Sequence, residues 1–121
     1  MYKPKNFSWE ETKCKCGKES CNENVTDELM MIMDNARDLA GIPFIVTSGA
    51  RDAEYNRAIG GKDTSSHTRG LAVDIKASGS RERYLICKAF GQVGATRFGI
   101  DKSFVHVDID REKEQQVTWL Y

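Results

Sequence analysis

The chain contains only two histidines, His67 and His106, and each occupies a position suited to a metal ligand. Side-chain alternation along residues 104–109 places His106 and Asp108 on one face of a predicted strand and the apolar residues on the other. Asp74 lies in an otherwise apolar strand, where an unpaired carboxylate is unfavourable, so a cation should meet it. Catalytic zinc sites use three such protein ligands plus water, at distances of about 2.0 to 2.2 Å. His67, Asp74 and His106 are therefore candidate zinc ligands; the alternative is that Asp74 caps a turn or pairs with an arginine while the histidines are satisfied separately.

The segment around the first histidine carries a specific pattern. It reads Ser-x-His-x-x-Gly-x-Ala-x-Asp from Ser65 to Asp74, and a His-x-Asp pair follows at His106. A Ser-Gly-x-Arg sequence ends at Arg51. Together these motifs resemble the zinc D-alanyl-D-alanine carboxypeptidases and the related phage L-alanyl-D-glutamate endolysins, which share a fold with the hedgehog signalling domain. The resemblance covers roughly residues 7 to 110.

This resemblance implies that His67, Asp74 and His106 bind Zn2+ and that Arg51 faces a carboxylate or carbonyl oxygen of the substrate. It implies hydrolysis of a peptide bond in peptidoglycan stem peptides by zinc-activated water, as a carboxypeptidase or as an endopeptidase. Zinc lowers the pKa of bound water to about 7, and arginine offers a planar fork of donors. The alternative for Arg51 is a salt-bridged surface residue. Ser65 is a candidate substrate contact, but not a nucleophile, since both histidines are already assigned to the metal.

The general base is the part of the pattern that departs from the resemblance. Many relatives carry Glu or Asp three residues before the last histidine, where this chain has Ser103. Asp101, five residues before His106, is the preferred base, because it lies in a turn that could approach the metal site. Asp108 is the second candidate, although a carboxylate next to a ligating histidine more often orients that histidine. A base must come within about 2.6 to 3.2 Å of the water it deprotonates, directly or through another water.

Three of the four cysteines cluster near the N-terminus, at Cys14, Cys16 and Cys21. Their Cys-x-Cys-x4-Cys spacing supplies only three ligands and lacks the Cys-x2-Cys pairs typical of structural zinc sites. Ordinary thiols or one disulfide are therefore favoured over a structural metal. Cys87 lies in an apolar helical segment and is interpreted as a core residue.

The predicted elements that position these residues define an α+β fold. Residues 1–24 form a cysteine-rich loop that packs through Phe7 and Trp9, and a core helix follows from a Thr26 cap to a Gly41 stop. A strand is expected over residues 44–47, a short helix over 52–59, a strand over 71–75 and a third helix over 80–93. The last strands are expected at residues 97–100, 104–109 and 117–121. The links between them are too short for parallel crossovers, so the sheet should be dominated by antiparallel pairs.

Composition limits the classes of function. The chain has 18 Lys plus Arg and 18 Asp plus Glu, a balance that argues against a nucleic-acid partner. No apolar stretch approaches the ~20 residues of a membrane span, and the N-terminus lacks a signal-peptide pattern. At 121 residues the chain should form a single peptidase domain, residues 1–121, and we expect a monomer. The lack of a signal-peptide pattern suggests synthesis in the cytoplasm, and the family resemblance implies action at the bacterial cell wall, as for a phage or prophage lysin. The alternative function is a non-catalytic zinc-binding or wall-binding module of the same fold.

Overall fold

The structure is a computed structural model that describes residues 1–121, and it contains three helices and one five-stranded sheet. The helices are α1 (Asp27–Ala40), α2 (Ala53–Ala58) and α3 (Ser80–Gln92). The strands are β1 (Val46–Ser48), β2 (Ala72–Lys76), β3 (Arg97–Ile100), β4 (Phe104–Asp108) and β5 (Val117–Leu120). This architecture confirms the predicted α+β class. Two short 3-10 helices, Trp9–Glu11 and Ser66–Arg69, lie in segments that were expected to be loops.

The sheet has the strand order β1-β2-β4-β3-β5. Its pairs are antiparallel except for β3 with β5, which is parallel. The short link from β4 to β5 is compatible with that parallel pair, because β5 runs opposite to β4. The link therefore only has to pass around the start of β3. No crossover of the kind needed between consecutive parallel strands is involved. The sheet is therefore dominated by antiparallel pairs, as predicted, with one parallel edge.

Helix α1 begins and ends as its sequence predicts. The side chain of Thr26 accepts a hydrogen bond from the backbone N–H of Leu29, and Gly41 adopts a left-handed conformation at the C-terminus. The apolar face of α1 packs with α3 against one face of the sheet. The fully buried core includes Leu29, Met30, Met33, Phe90, Val73, Ile75, Val105 and Val107.

The alternation of side chains in the central strands separates core from site. Val73 and Ile75 of β2 face the helices, so Asp74 between them faces the opposite side of the sheet. His106 lies between Val105 and Val107 of β4 and follows the same rule. The polar residues of β2 and β4 are thus gathered on the face that the helices leave uncovered.

The N-terminal segment is attached to α1 by a buried carboxylate. Asp34 accepts hydrogen bonds from the Tyr2 hydroxyl at 2.5 Å, from the Lys5 N–H at 2.7 Å and from the Asn6 N–H at 2.9 Å. Phe7 inserts into the core next to this anchor, as predicted. These contacts satisfy a carboxylate that would be unfavourable to bury alone. No helix in the structure is long and apolar enough to cross a bilayer.

Candidate metal centre

The register of the sheet brings two of the three predicted ligands together. Asp74 of β2 pairs directly with His106 of β4, so their side chains leave the same face of adjacent strands. His67 comes from the short helix that precedes β2. Gly70 ends that helix with φ +71°, and a Cβ at this position would lie 2.6 Å from the Asn24 carbonyl oxygen. Glycine is therefore required where the chain turns from His67 into β2.

The three side chains converge on one point. His67 Nε2 lies 3.3 Å from Asp74 Oδ1, and His106 Nδ1 lies 3.0 Å from the same oxygen. One ligand atom from each residue lies within 4.8 Å of the others. The two imidazole rings are 5.1 Å apart between centroids and inclined at 70°. All three residues are buried, at 3% to 7% relative exposure. The structure therefore brings the predicted ligands together.

Each histidine is oriented by a hydrogen bond on the nitrogen that faces away from this point. His67 Nδ1 lies 2.6 Å from the Gly49 carbonyl oxygen, which can only accept, so this nitrogen carries the proton. His106 Nε2 lies 2.8 Å from Asp108 Oδ2. The lone pairs of His67 Nε2 and His106 Nδ1 are thereby directed inward. Carboxylate and carbonyl acceptors of this kind accompany most metal-ligating histidines.

Asp108 is itself held in place by neighbours. Its Oδ1 accepts hydrogen bonds from Arg97 Nε at 2.7 Å and from the Asp110 N–H at 3.2 Å. Both carboxylate oxygens are therefore engaged, one with His106 and the other with these two donors. Asp108 therefore lies between His106 and Arg97, in contact with both side chains.

The electrostatics of the cluster favour a bound cation. Burial tends to raise the pKa of Asp74, but its close contacts with the His106 and His67 side chains lower it well below its ordinary value. Burial tends to lower the pKa of His106, but hydrogen bonds with Asp108 and Asp74 raise it above its ordinary value. Both shifts show that a positive charge next to the Asp74 and Asp108 carboxylates is favoured. A divalent cation among the same atoms would supply that positive charge, so the nitrogen and oxygen donors fit zinc.

Arg51 lies beside the predicted ligands, and its contact with a substrate stays a prediction. Its guanidinium contacts Ser48 Oγ at 3.1 Å and Asn56 Oδ1 at 3.1 Å, while Nη2 lies 3.7 Å from Asp74 Oδ2. Asn56 is buried and also donates to the Lys62 carbonyl oxygen at 2.8 Å. The guanidinium is therefore held between the metal ligands and the loop that follows α2.

A pocket of about 380 Å³ opens above this centre. Ser65 lines it and accepts a hydrogen bond from the His67 N–H at 3.3 Å. The predicted site residues that line the pocket are Arg51, Ser65, His67, Asp74, His106 and Asp108.

Asp101, the preferred base, does not line this pocket. It borders a separate depression together with Arg83 and Lys102. Its Oδ2 accepts hydrogen bonds from the Ser103 hydroxyl at 2.7 Å and the Ser103 N–H at 2.9 Å, and these bonds lower the pKa of Asp101. Ser103 thus fixes the carboxylate within the turn. The assignment of Asp101 as base stays a prediction.

Two aromatic residues near the C-terminus, Trp119 of β5 and Tyr121 directly after it, complete the pocket wall, and neither was predicted to belong to the site. The centroid of the Trp119 ring lies 5.4 Å from that of the His106 ring, and the centroid of the Tyr121 ring lies 6.4 Å from the His106 centroid. Gly99 of β3 makes room for them, because a Cβ there would lie 2.6 Å from Trp119 Nε1. Arg97 stacks on Trp119, with the guanidinium carbon 4.9 Å from the ring centroid. The spacing of Trp119 and Tyr121, two positions apart, indicates that both side chains lie on one face of the predicted final strand. The neighbour of that strand in the sheet could not be identified from sequence.

A family comparison agrees with this geometry. The model of the family described as peptidase M15 matches residues 5–108, which include the three ligands, Arg51 and Asp108. No curated protein shows significant similarity to the chain. The match covers most of the sequence and ends before β5, so Trp119 and Tyr121 lie outside it. The M15 family consists of zinc-dependent peptidases, and the His67-Asp74-His106 cluster could bind such a metal. The chain belongs to the peptidase M15 family.

Proposed function

We propose that this protein is a zinc metallopeptidase that hydrolyses a peptide bond in peptidoglycan stem peptides, either as a D-Ala-D-Ala carboxypeptidase or as an endopeptidase of the endolysin type. The observation that carries the proposal is the convergence of His67, Asp74 and His106 on the floor of an open pocket. Three protein ligands facing a solvent-accessible pocket are the pattern of a catalytic zinc site, whereas structural sites are closed by a fourth ligand.

The metal would be held by His67 Nε2, Asp74 Oδ1 and His106 Nδ1, the atoms that face one another. Zinc bound there supplies Lewis acidity toward a carbonyl oxygen and lowers the pKa of water. The Gly49 carbonyl and the Asp108 carboxylate keep the two imidazoles in the ligating orientation. These contacts preorganise the ligands before any substrate binds.

Arg51 is proposed to bind the substrate. Its guanidinium lies beside Asp74 and is fixed by Ser48 and Asn56, so its remaining donors have a defined direction. Arginine binds carboxylates with two parallel hydrogen bonds and stabilises oxyanion charge that develops during attack. In the first role Arg51 fixes a carboxylate of the substrate, and in the second it stabilises the reacting carbonyl oxygen.

Other residues of the pocket suit an acidic peptide. Lys62 and Lys113 add positive charge to its lining, and Lys62 is exposed and forms no salt bridge. Stem peptides of peptidoglycan carry free carboxylates, which these groups would attract. Ser65 can donate its hydroxyl to a substrate carbonyl. Trp119 and Tyr121 offer an apolar wall against which a peptide backbone can pack.

Asp101 is proposed as the general base because of its place in the sequence, and its side chain does not line the pocket. Asp101 must release Ser103 when the substrate binds if it is to approach the reacting water. Replacement of Asp101 by Asn should then lower kcat by about 100-fold or more with little change in KM. Full activity in Asp101→Asn would remove Asp101 from the mechanism. Asp108→Asn is the matched comparison, since it changes the carboxylate on His106.

The test of function is an assay of the purified chain on peptidoglycan with and without a chelator. We expect release of free amino groups that stops on chelation and returns on addition of zinc. The mass of the product identifies the bond and separates carboxypeptidase from endopeptidase activity. Absence of any zinc-dependent release would contradict the proposal.

A second candidate is a non-catalytic zinc-binding or wall-binding module. It is favoured by Ser103, which stands where many relatives of this resemblance have an acid, and by the position of Asp101 outside the pocket. Sedimentation of the protein with insoluble peptidoglycan, without release of amino groups, would support this module. The same two measurements therefore separate the two functions.

A further inference from the structure

A second cluster of metal-ligating groups lies apart from the catalytic centre. One ligand atom each from Cys14, Cys16, Cys21 and Asp52 lies within 4.8 Å of the others. All three cysteines are free thiols. Cys14 and Cys21 are buried, Cys16 is half-buried, and the Asp52 side chain is 21% exposed. Four donors therefore meet at a largely enclosed point that the proposed peptidase reaction does not use.

The backbone of the N-terminal segment is folded so that the three thiols point together. The Cys14 N–H donates to the Glu23 carbonyl oxygen at 2.9 Å, and the Cys21 N–H donates to the Lys18 carbonyl oxygen at 3.1 Å. Gly17, directly after Cys16, has φ +78°, a conformation that favours glycine. The segment thus reverses direction between Cys16 and Cys21 and returns alongside Cys14.

The fourth donor comes from a distant part of the chain. Asp52 caps the N-terminus of α2, and its backbone N–H donates to Cys14 Sγ at 3.3 Å. This bond places the Asp52 carboxylate next to the thiols. The sequence analysis counted only three ligands because Asp52 lies 31 positions after Cys21.

The neighbours of the thiols shift the pKa values of Cys16 and Cys21 in opposite directions. Hydrogen bonding from the backbone at Lys18 lowers the pKa of the Cys16 thiol. Backbone hydrogen bonding at Glu23 lowers the pKa of Cys21, but desolvation and the adjacent Cys16 and Cys14 thiols outweigh it and raise that pKa to about 11. A soft divalent cation displaces the protons of such thiols and binds them as thiolates.

We propose that Cys14, Cys16, Cys21 and Asp52 bind a structural zinc ion, distinct from the catalytic one. Three sulfurs and one carboxylate oxygen provide the four ligands of a closed tetrahedral site, and thiolates select zinc over the harder cations. A disulfide would use only two of the three sulfurs and leave the third beside Asp52 without a role. The convergence of all four donors is therefore better explained by a metal.

This second ion would stabilise the loop that orients the catalytic centre. Thr12 lies two residues before Cys14, and its carbonyl oxygen accepts a hydrogen bond from the Ala50 N–H at 2.9 Å. A Cβ at Gly49 would lie 2.3 Å from that same oxygen, so the two segments are in close backbone contact. The carbonyl of Gly49 accepts the hydrogen bond from His67, and Arg51 directly precedes Asp52. The proposed zinc thus ties the N-terminal segment to the residues that position one catalytic ligand and the substrate-binding arginine.

The experiment measures metal in the full-length chain, purified under reducing conditions with zinc supplied. We expect about two zinc ions per chain, and about one in the His67→Ala/His106→Ala variant, whose catalytic centre has lost two ligands. Adding Cys16→Ser to that variant should leave no tightly bound zinc, whereas adding Cys87→Ser, a cysteine of α3 outside the cluster, should change nothing. Retention of the second zinc after Cys16→Ser would overturn the assignment.

A spectroscopic measurement keeps the test valid if a cysteine variant does not fold. The His67→Ala/His106→Ala variant retains all three thiols, and with Co2+ in place of zinc it should show thiolate-to-cobalt charge-transfer absorption in the near ultraviolet. Absence of that band, or a disulfide among the three cysteines with no bound metal, would overturn the proposal. The outcome does not depend on peptidase activity, so it is independent of the proposed function.

Discussion

The two clusters of metal-ligating groups differ in how they are built and in what they leave open. The sheet centre draws His67, Asp74 and His106 from elements 39 residues apart in sequence and has three ligands beneath an open pocket. The thiol cluster draws three donors from the eight residues 14–21 and adds Asp52 as a fourth. An open position permits chemistry, whereas a filled coordination sphere only stabilises the fold. This difference supports the proposed reaction at the sheet centre and the proposed structural role of the thiol cluster.

The loop of residues 49–52 connects them. Gly49 and Arg51 contact the sheet centre, while Asp52 belongs to the thiol cluster. In addition, the Arg51 N–H donates to the His67 carbonyl oxygen at 3.0 Å. Loss of a ligand in one cluster should therefore have a smaller effect on the other cluster. The following substitutions measure that effect through metal content, activity and Tm.

The largest effect on activity is expected for His106→Ala. This variant loses a metal ligand, and since zinc contributes several kcal/mol to the transition state, activity on peptidoglycan should fall by roughly 1,000-fold or more. The thiol cluster should keep its metal. Activity assays with metal analysis of the same sample check both statements, and loss of both metals at once would show that the clusters are not separate.

A smaller effect is expected for Asp108→Asn. The amide can no longer provide the carboxylate charge that orients and supports His106, although the side chain keeps its size. Zinc affinity at the sheet centre, or activity, should fall by about 10- to 100-fold. Zinc titration of the chelated protein measures this affinity. An unchanged affinity would mean that Asp108 does not support the ligand.

Cys16→Ser should affect stability more than activity. Loss of the second zinc should lower Tm by about 10 °C, which corresponds to roughly 2 to 3 kcal/mol for a domain of this size. Activity at 25 °C should fall by less than about 10-fold, because the loop of residues 49–52 is loosened but no catalytic group is removed. Thermal unfolding followed by circular dichroism and a matched activity assay provide the measurements. Cys87→Ser is the control, and an equal loss of Tm in both variants would contradict the distinction.

The smallest effect is expected for Lys18→Ala. Lys18 lies 3.0 Å from Glu54 and 3.7 Å from Asp52, but the lysine is 45% exposed. An exposed pair contributes about 1 kcal/mol or less, so Tm should fall by no more than about 4 °C. Both metals should remain bound. Loss of the second zinc in this variant would show that charge around the cluster, and not the four ligands, determines binding.

Much of the sheet centre was predictable from sequence because its signals are local. The period-2 alternation at Val105, His106 and Val107 gives the face of the strand, and scarcity of histidine singles out His67 and His106. The caps at Thr26 and Gly41 likewise bound α1 through local chemistry. These features depend on a few neighbouring residues, which the sequence displays directly.

The parts that were not predicted depend on long-range placement. The parallel pairing of β3 with β5 brings Trp119 and Tyr121 over the pocket, and no local pattern specifies that neighbour. Asp52 joins the cysteines only because Thr12 and Cys14 pack along the loop after β1. The orientation of Asp101 is an exception, because it depends on hydrogen bonds from the neighbouring Ser103, a local contact that spacing alone did not indicate.

The most direct test of the central claim is anomalous diffraction at the zinc edge from crystals of the full-length chain grown with zinc. We expect a strong peak between His67 Nε2, Asp74 and His106 Nδ1, at about 2.0 to 2.2 Å from each ligand atom. A crystal in which these side chains are ordered and no metal binds between them, with zinc present in excess, would contradict the account.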